Sequence, residues 1–251
     1  MYSAKAKIYL RTVLKMKKTR KYLYVALLSL VLFILWTIAL CFIDIKAIGP
    51  DGSRVGFATL NSFARDLIGS NMTLYVITDW LGLVPLFCAL GFAVVGLVQW
   101  IGRKNILKVD ADILILGCFY IAVIAVFILF ENIIINRRPV LINGILEASY
   151  PSSTTLLVMC VMPTTVLQLN SRIKKAKTRR IITPLLVAFN ALMVLGRLAS
   201  GVHWVTDIIG AALLSVGLVM MYYYLISIIS IYKTKEEQHE KRNHSCRQYA
   251  G

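Results

Sequence analysis

Six long apolar blocks decide what this chain can fold into. They fall at roughly 23–43, 75–99, 111–135, 154–170, 181–200 and 206–231. A helix needs ~20 apolar residues to cross the hydrocarbon core of a bilayer. Within a membrane each segment must satisfy its own backbone polar groups, so helices are the expected form. Composition agrees, because 58% hydrophobic and 16% charged residues over 251 positions leave too little polar surface for a soluble domain. The expected fold is all-α: a polytopic six-transmembrane-helix bundle over 23–231, flanked by a basic segment 1–22 and a polar tail 232–251. The first block lacks a small-x-small cleavage site, and Cys41 follows Leu40, so it reads as an uncleaved span.

The net charge of +16 invites a nucleic-acid partner, but its distribution argues against one. With six spans, 22 of the 28 Lys and Arg residues lie on one side, in 1–22, 100–110, 171–180 and the tail. The other side keeps Lys46, Arg54, Arg65, Arg137, Arg138 and Arg197. Such a split marks the basic side, with both termini, as cytoplasmic, where it meets anionic lipid. Segment 1–22 reads as an interfacial helix with Ile8, Leu10, Val13 and Leu14 on its apolar side, and the tail after 232 as unstructured. The longest outside loop, 44–74, opens on the turn-rich Ile48–Gly52, and its Phe57–Ile68 stretch suits a short interfacial helix. The five cysteines show neither disulfide nor metal spacing. With no HExxH, Asp-rich cluster or Gly-rich nucleotide loop, no metal or cofactor is expected.

Arg197, His203 and Asp207 fall where span five ends and span six begins, on the outer side. Ionisable residues at a membrane boundary point to function, although snorkelling and structural pairing are the plainer reading. His203 and Asp207 are four apart and share a helix face. A carboxylate there can hold one imidazole nitrogen and leave the other as a nucleophile. Arg197 offers a planar cation to phosphate oxygens. Arg138-Pro139 ends span three on the same side, and Pro151-Ser152-Ser153-Thr154-Thr155 opens span four. A helix start presents free N–H groups and the positive end of the dipole to an anion. Two arginines, a histidine and a helix start on one membrane face suit a phosphate ester.

On these residues the chain resembles the type 2 phosphatidic acid phosphatase (PAP2) superfamily of membrane lipid phosphatases. That family carries K-x6-R-P, P-S-G-H and S-R-x5-H-x3-D. Here the third motif stands as Gly196-Arg197, His203 and Asp207, the first as Arg138-Pro139, and the second as Pro151-Ser152-Ser153-Thr154. The resemblance implies that His203 attacks phosphorus to form a phosphohistidine. It also implies that Asp207 orients it, and that Arg138, Arg197 and Ser152 bind phosphoryl oxygens, with Ser153 and Thr154 beside them. No metal is implied.

Two of the departures from the family bear on the chemistry. Glu131 stands where the first motif has lysine, and is expected to orient Arg137 or Arg138, with Arg137 as a candidate for the missing cation. Thr154 replaces the histidine that protonates the leaving alcohol, and His239 and His244 lie at the cytoplasmic end. Without that acid a lipid pyrophosphate, such as a polyprenyl pyrophosphate, is the favoured substrate, because its leaving group needs little protonation. Phosphoryl transfer between lipids and a catalytically weak phospholipid-binding homologue are the alternatives, and oligomeric state stays open. Asp79 is a candidate partner for a site arginine, Glu147 for shaping the 136–153 loop, Asn132 and Asn136 for lining the pocket, and Tyr222–Tyr224 with Tyr232 for an interface belt.

Overall fold

The computed structural model describes the backbone of residues 2–248 and the side chains of 14–233. Eight α-helices follow in order: α1 (Tyr2–Phe42), α2 (Ala58–Ile68), α3 (Met72–Leu81), α4 (Leu83–Arg103), α5 (Ala111–Asn132), α6 (Ser153–Arg172), α7 (Ala176–Ala199) and α8 (Val205–Gln248). Six stretches are long and apolar enough to cross a membrane: Leu14–Phe42, Met72–Arg103, Ala111–Asn132, Ser153–Arg172, Ala176–Ala199 and Val205–Lys233. The expected six-span all-α membrane bundle is the fold of this chain. The helices bear apolar side chains outward, such as Leu35, Phe87, Ile121 and Leu195, as lipid requires.

Three boundaries differ from expectation. The second block is two helices meeting at Gly82, not one continuous helix. Pro85 in the first turn of α4 has no N–H to donate, which suits a fresh helix start there. The basic segment 1–22 is continuous with span one rather than a separate helix; the expected apolar side formed by Ile8, Leu10 and Val13 lies outside the described side chains. The tail, expected to be unstructured, continues α8 to Gln248. Lys, Glu, Gln and Arg are good helix formers, and extending an existing helix needs no new nucleus.

α6 is the most enclosed span, lying against α4, α5, α7 and α8, and α1 lies along α8. A Cβ on Gly217 would stand 2.7 Å from the Leu30 side chain, so only glycine lets α1 approach this closely. Buried Phe33, Leu116, Phe119, Leu156, Leu214 and Tyr222 join α1, α5, α6 and α8 in one core. The α1–α2 connection carries a two-stranded ribbon, Lys46–Ala47 against Arg54–Val55. α2 forms where a short helix was expected, and its buried Asn61 bonds Thr206 at the start of α8, 3.0 Å Nδ2 to Oγ1.

The alternating direction of the spans collects the C-terminal ends of α5 and α7 and the N-terminal ends of α3, α6 and α8 at one end of the bundle. The basic 104–110 and 173–175 connections lie at the other.

Candidate phosphoryl-binding site

The α5–α6 connection is a hairpin. Asn143 and Gly144 have φ of 50° and 78°, the pair of left-handed residues that a two-residue type I′ turn requires. Ile142 and Ile145 exchange backbone hydrogen bonds across it. Further down, Arg137 stands opposite Ala148, the Arg138 N–H donates to the Glu147 carbonyl at 3.1 Å, and the Ser149 N–H donates to the Asn136 carbonyl at 2.9 Å. This ladder sets Arg138 beside Glu147, with Nε 3.1 Å from Oε2, and carries Ser149 to the centre of the site. Glu131 was expected to orient Arg137 or Arg138. The cross-strand neighbour Glu147 pairs with Arg138 instead, and Arg137 donates from Nη1 to the Leu146 carbonyl at 2.9 Å.

The α7–α8 turn supplies the other half. Gly201 has φ +64°, and a Cβ there would lie 1.9 Å from the Gly69 carbonyl oxygen, so this tight turn admits no side chain. It brings His203 and Asp207 under the hairpin, both buried. His203 Nδ1 lies 3.1 Å from the Ser149 carbonyl oxygen and 3.2 Å from its Oγ. A carbonyl only accepts, so the proton sits on Nδ1 and Nε2 keeps its lone pair. Nε2 is 3.4 Å from Arg197 Nη2.

Asp207 Oδ2 is 3.8 Å from Nδ1, beyond hydrogen-bond reach. It accepts instead from the Ser149 hydroxyl and from the Trp204 N–H at 2.9 Å. Its hold on the imidazole thus runs through Ser149. Burial pushes the His203 imidazole down to about 4; the Arg138 and Arg197 charges add to this and Asp207 opposes it. The ring is neutral at pH 7, the state a nucleophile needs.

Arg197 is buried. Its Nη1 is 3.5 Å from Asp79 Oδ1 and 3.5 Å from Thr78 Oγ1, so Asp79 meets a site arginine as its position suggested. The guanidinium carbons of Arg197 and Arg138 lie 4.9 and 5.9 Å from the centre of one ring, Tyr75, within cation–π range. Even so, Arg138 Nη1 and Arg197 Nε are buried with no hydrogen-bond partner, and Arg138 Nε meets Glu147 at ion-pair distance without hydrogen-bond alignment. Buried donors left over by two cations call for an explanation, and phosphoryl oxygens are suited to accept from them.

Arg138, Ser149, Ser153 and His203 line a cavity of about 100 Å³ with Glu131, Phe127, Phe130, Tyr150 and Leu156. Ser152 and Thr154 are not among its walls. The Ser152 hydroxyl donates to Thr155 Oγ1 at 3.0 Å and its N–H donates to the Asp207 carbonyl. The Thr154 methyl faces Gly82, where an added Cβ would stand 3.5 Å away. Of the residues marked in the sequence, Arg138, Arg197, His203, Asp207 and Ser153 converge, Glu131 joins the wall, and Arg137 turns to its own hairpin. Ser149, Tyr75 and Thr78 were not marked. The Asn143-Gly144 turn signal, which fixes the hairpin register, was the available pointer to Ser149. Among the described residues no group of His, Cys, Asp and Glu side chains is arranged to hold a metal ion.

The PAP2 superfamily model matches residues 127–229, the stretch that carries Arg138, Ser149, Ser153, Arg197, His203 and Asp207. Among solved structures, the chain is similar to the first transmembrane PAP2 type phosphatidylglycerolphosphate phosphatase from Bacillus subtilis. The TM-score is 0.58 and the identity 16%, over 82% of this chain and 98% of that one; at such identity the likeness is one of fold. No curated protein matches the sequence. The stretch bearing the site thus matches the PAP2 superfamily model, and it lies in a six-span membrane fold similar to that of a PAP2 type phosphatase.

Proposed function

We propose that this protein removes the phosphoryl group from a membrane lipid phosphate through attack by His203. One observation carries the reading: Nδ1 is fixed by the Ser149 carbonyl while Nε2 keeps its lone pair beside Arg197. Nε2 would attack phosphorus, and Arg138 and Arg197 would hold the equatorial oxygens as charge moves onto the leaving atom. Asp207, acting through Ser149, would stabilise the ring as it becomes positive. Water would then release phosphate from the phosphohistidine. The chemistry uses no metal or cofactor. Placing the site at the extracytoplasmic face, with cytoplasmic termini, is supported by the crowding of basic residues at the far end of the bundle.

The leaving group separates an ester from a pyrophosphate. The missing imidazole at Thr154 favours a pyrophosphate, but the charge around the site opposes one. Arg138 and Arg197 are accompanied by Asp79, Glu147 and Asp207. A further anionic phosphate placed among these carboxylates is repelled. A phosphate monoester is the better electrostatic match. Purified protein is to be assayed against phosphatidic acid, phosphatidylglycerol phosphate and polyprenyl pyrophosphate, with His203→Ala as control. Faster turnover of the monoesters, lost in the variant, is expected. Unchanged phosphate release by His203→Ala would exclude the histidine mechanism, and specific binding without turnover would leave a lipid-binding protein.

A further inference from the structure

We propose that Glu131 supplies the proton to the leaving alcohol, in place of the imidazole the chain lacks. The inference rests on the function proposed above. Glu131 shares a cavity wall with His203 and Arg138, and its side chain is exposed. The other walls offer no comparable acid. The Tyr150 hydroxyl is engaged with Thr37 Oγ1 at 2.7 Å. Ser149 is tied to Asp207 and His203, and a serine hydroxyl such as that of Ser153 is a poor acid near pH 7. The Thr154 methyl faces Gly82 rather than the cavity.

Besides Glu131, the ionisable groups facing the cavity are Arg138, bridged to Glu147, and the neutral His203, backed by Arg197. A carboxylate beside an arriving phosphate cannot easily remain ionised next to a second anion, so the two share a proton. The lipid phosphate monoanion brings that proton, since a phosphate monoester's second ionisation falls near ~6. As the Nε2–P bond forms and the P–O bond to the lipid breaks, the bonding pair moves to the lipid oxygen. The Glu131 carboxyl passes its proton there, and the alcohol departs. Water then attacks phosphorus, its protons staying on the phosphate, and the next monoanionic substrate restores the proton to Glu131. The N–P pair returns to Nε2 and phosphate leaves.

The test uses two substrates with the same phosphoryl group. A short-chain phosphatidic acid leaves as an alkoxide, which needs a proton; p-nitrophenyl phosphate leaves as a stabilised phenolate, which does not. Loss of negative charge in Glu131→Gln acts on both alike, so their ratio isolates proton transfer. Turnover of the phosphatidic acid is expected to fall ~10²-fold or more, and that of the nitrophenyl ester less than ~10-fold, as general-acid help of ~10²–10⁴-fold requires. Continued nitrophenyl turnover also shows that the variant is folded. An equal loss on both substrates, or no loss on either, overturns the proposal. If the wild-type protein cleaves neither, the phosphatase reading itself fails, before any variant is compared.

Discussion

The two ends of the bundle treat arginine in opposite ways. At the basic end, Arg172 bonds Asp112 Oδ2 at 2.8 Å and also reaches the Gln168 side chain and carbonyl. Gln168 in turn meets Tyr222. Arg103 bonds Asp110 at 2.9 Å and the Lys108 carbonyl, and Gln99 completes the Asp110 carboxylate. These part-exposed cations pair with neighbouring carboxylates and tie α4, α5 and α6 together. At the opposite end, Arg138 and Arg197 also have carboxylate neighbours, yet Arg138 Nη1 and Arg197 Nε are buried and unmatched. A part-exposed arginine paired to a carboxylate ties helices together and can leave its other donors to water, whereas a buried one with donors to spare is arranged for something that is not protein.

The strongest way to break this contrast is to remove the nucleophile. His203→Ala is expected to lower kcat for lipid phosphate by at least ~10³-fold, read as phosphate release in detergent micelles. Next, Arg197→Lys should cost ~10²–10³-fold in kcat, because one ammonium replaces a planar fork at a site of charge development. The matched change Arg172→Lys should leave kcat within ~3-fold and lower stability by at most ~1 kcal/mol, as for a partly exposed ion pair. Equal losses at the two arginines would erase the distinction.

A finer effect is expected at Ser149. Ser149→Ala removes the hydroxyl that links His203 to Asp207 but keeps the carbonyl on Nδ1, so kcat should fall only ~10-fold, about the worth of one hydrogen bond. The smallest effect falls on stability rather than rate. An unfolded imidazole titrates near ~6.5, whereas His203 in the fold is pushed down to about 4 by burial. Between these values the unfolded chain binds the extra proton, so His203 costs no stability above ~6.5 and a growing amount as pH falls toward about 4. The melting temperature of His203→Gln should decline less than wild type across that window. Carboxylates titrate alike in both proteins, so the difference between the two curves is the readout.

The spans were legible because lipid imposes one strong rule on composition, and Arg197, His203 and Asp207 because a fixed spacing within one short turn carries its own geometry. The break at Gly82 was hidden inside a continuous apolar run, with Pro85 as its only local sign. Ser149 stayed invisible for a different reason. Its partners lie 54 and 58 residues away, and only the hairpin register brings them together. Glu147 was overlooked as the Arg138 partner for the same cause, since Glu131 is marked by a motif and Glu147 by a strand pairing. The Tyr75 ring between two guanidinium groups depends on how α3 packs against α7, which no local pattern encodes.

The central claim is that His203 Nε2 takes the phosphoryl group from a lipid phosphate. Incubation with ³²P-labelled phosphatidic acid, quenching in alkali to preserve a phosphoramidate, and peptide mapping test it most directly. The account predicts label on the peptide containing His203, and none in His203→Gln. Steady turnover by His203→Gln, or label mapping to any other residue in the wild-type protein, would contradict it.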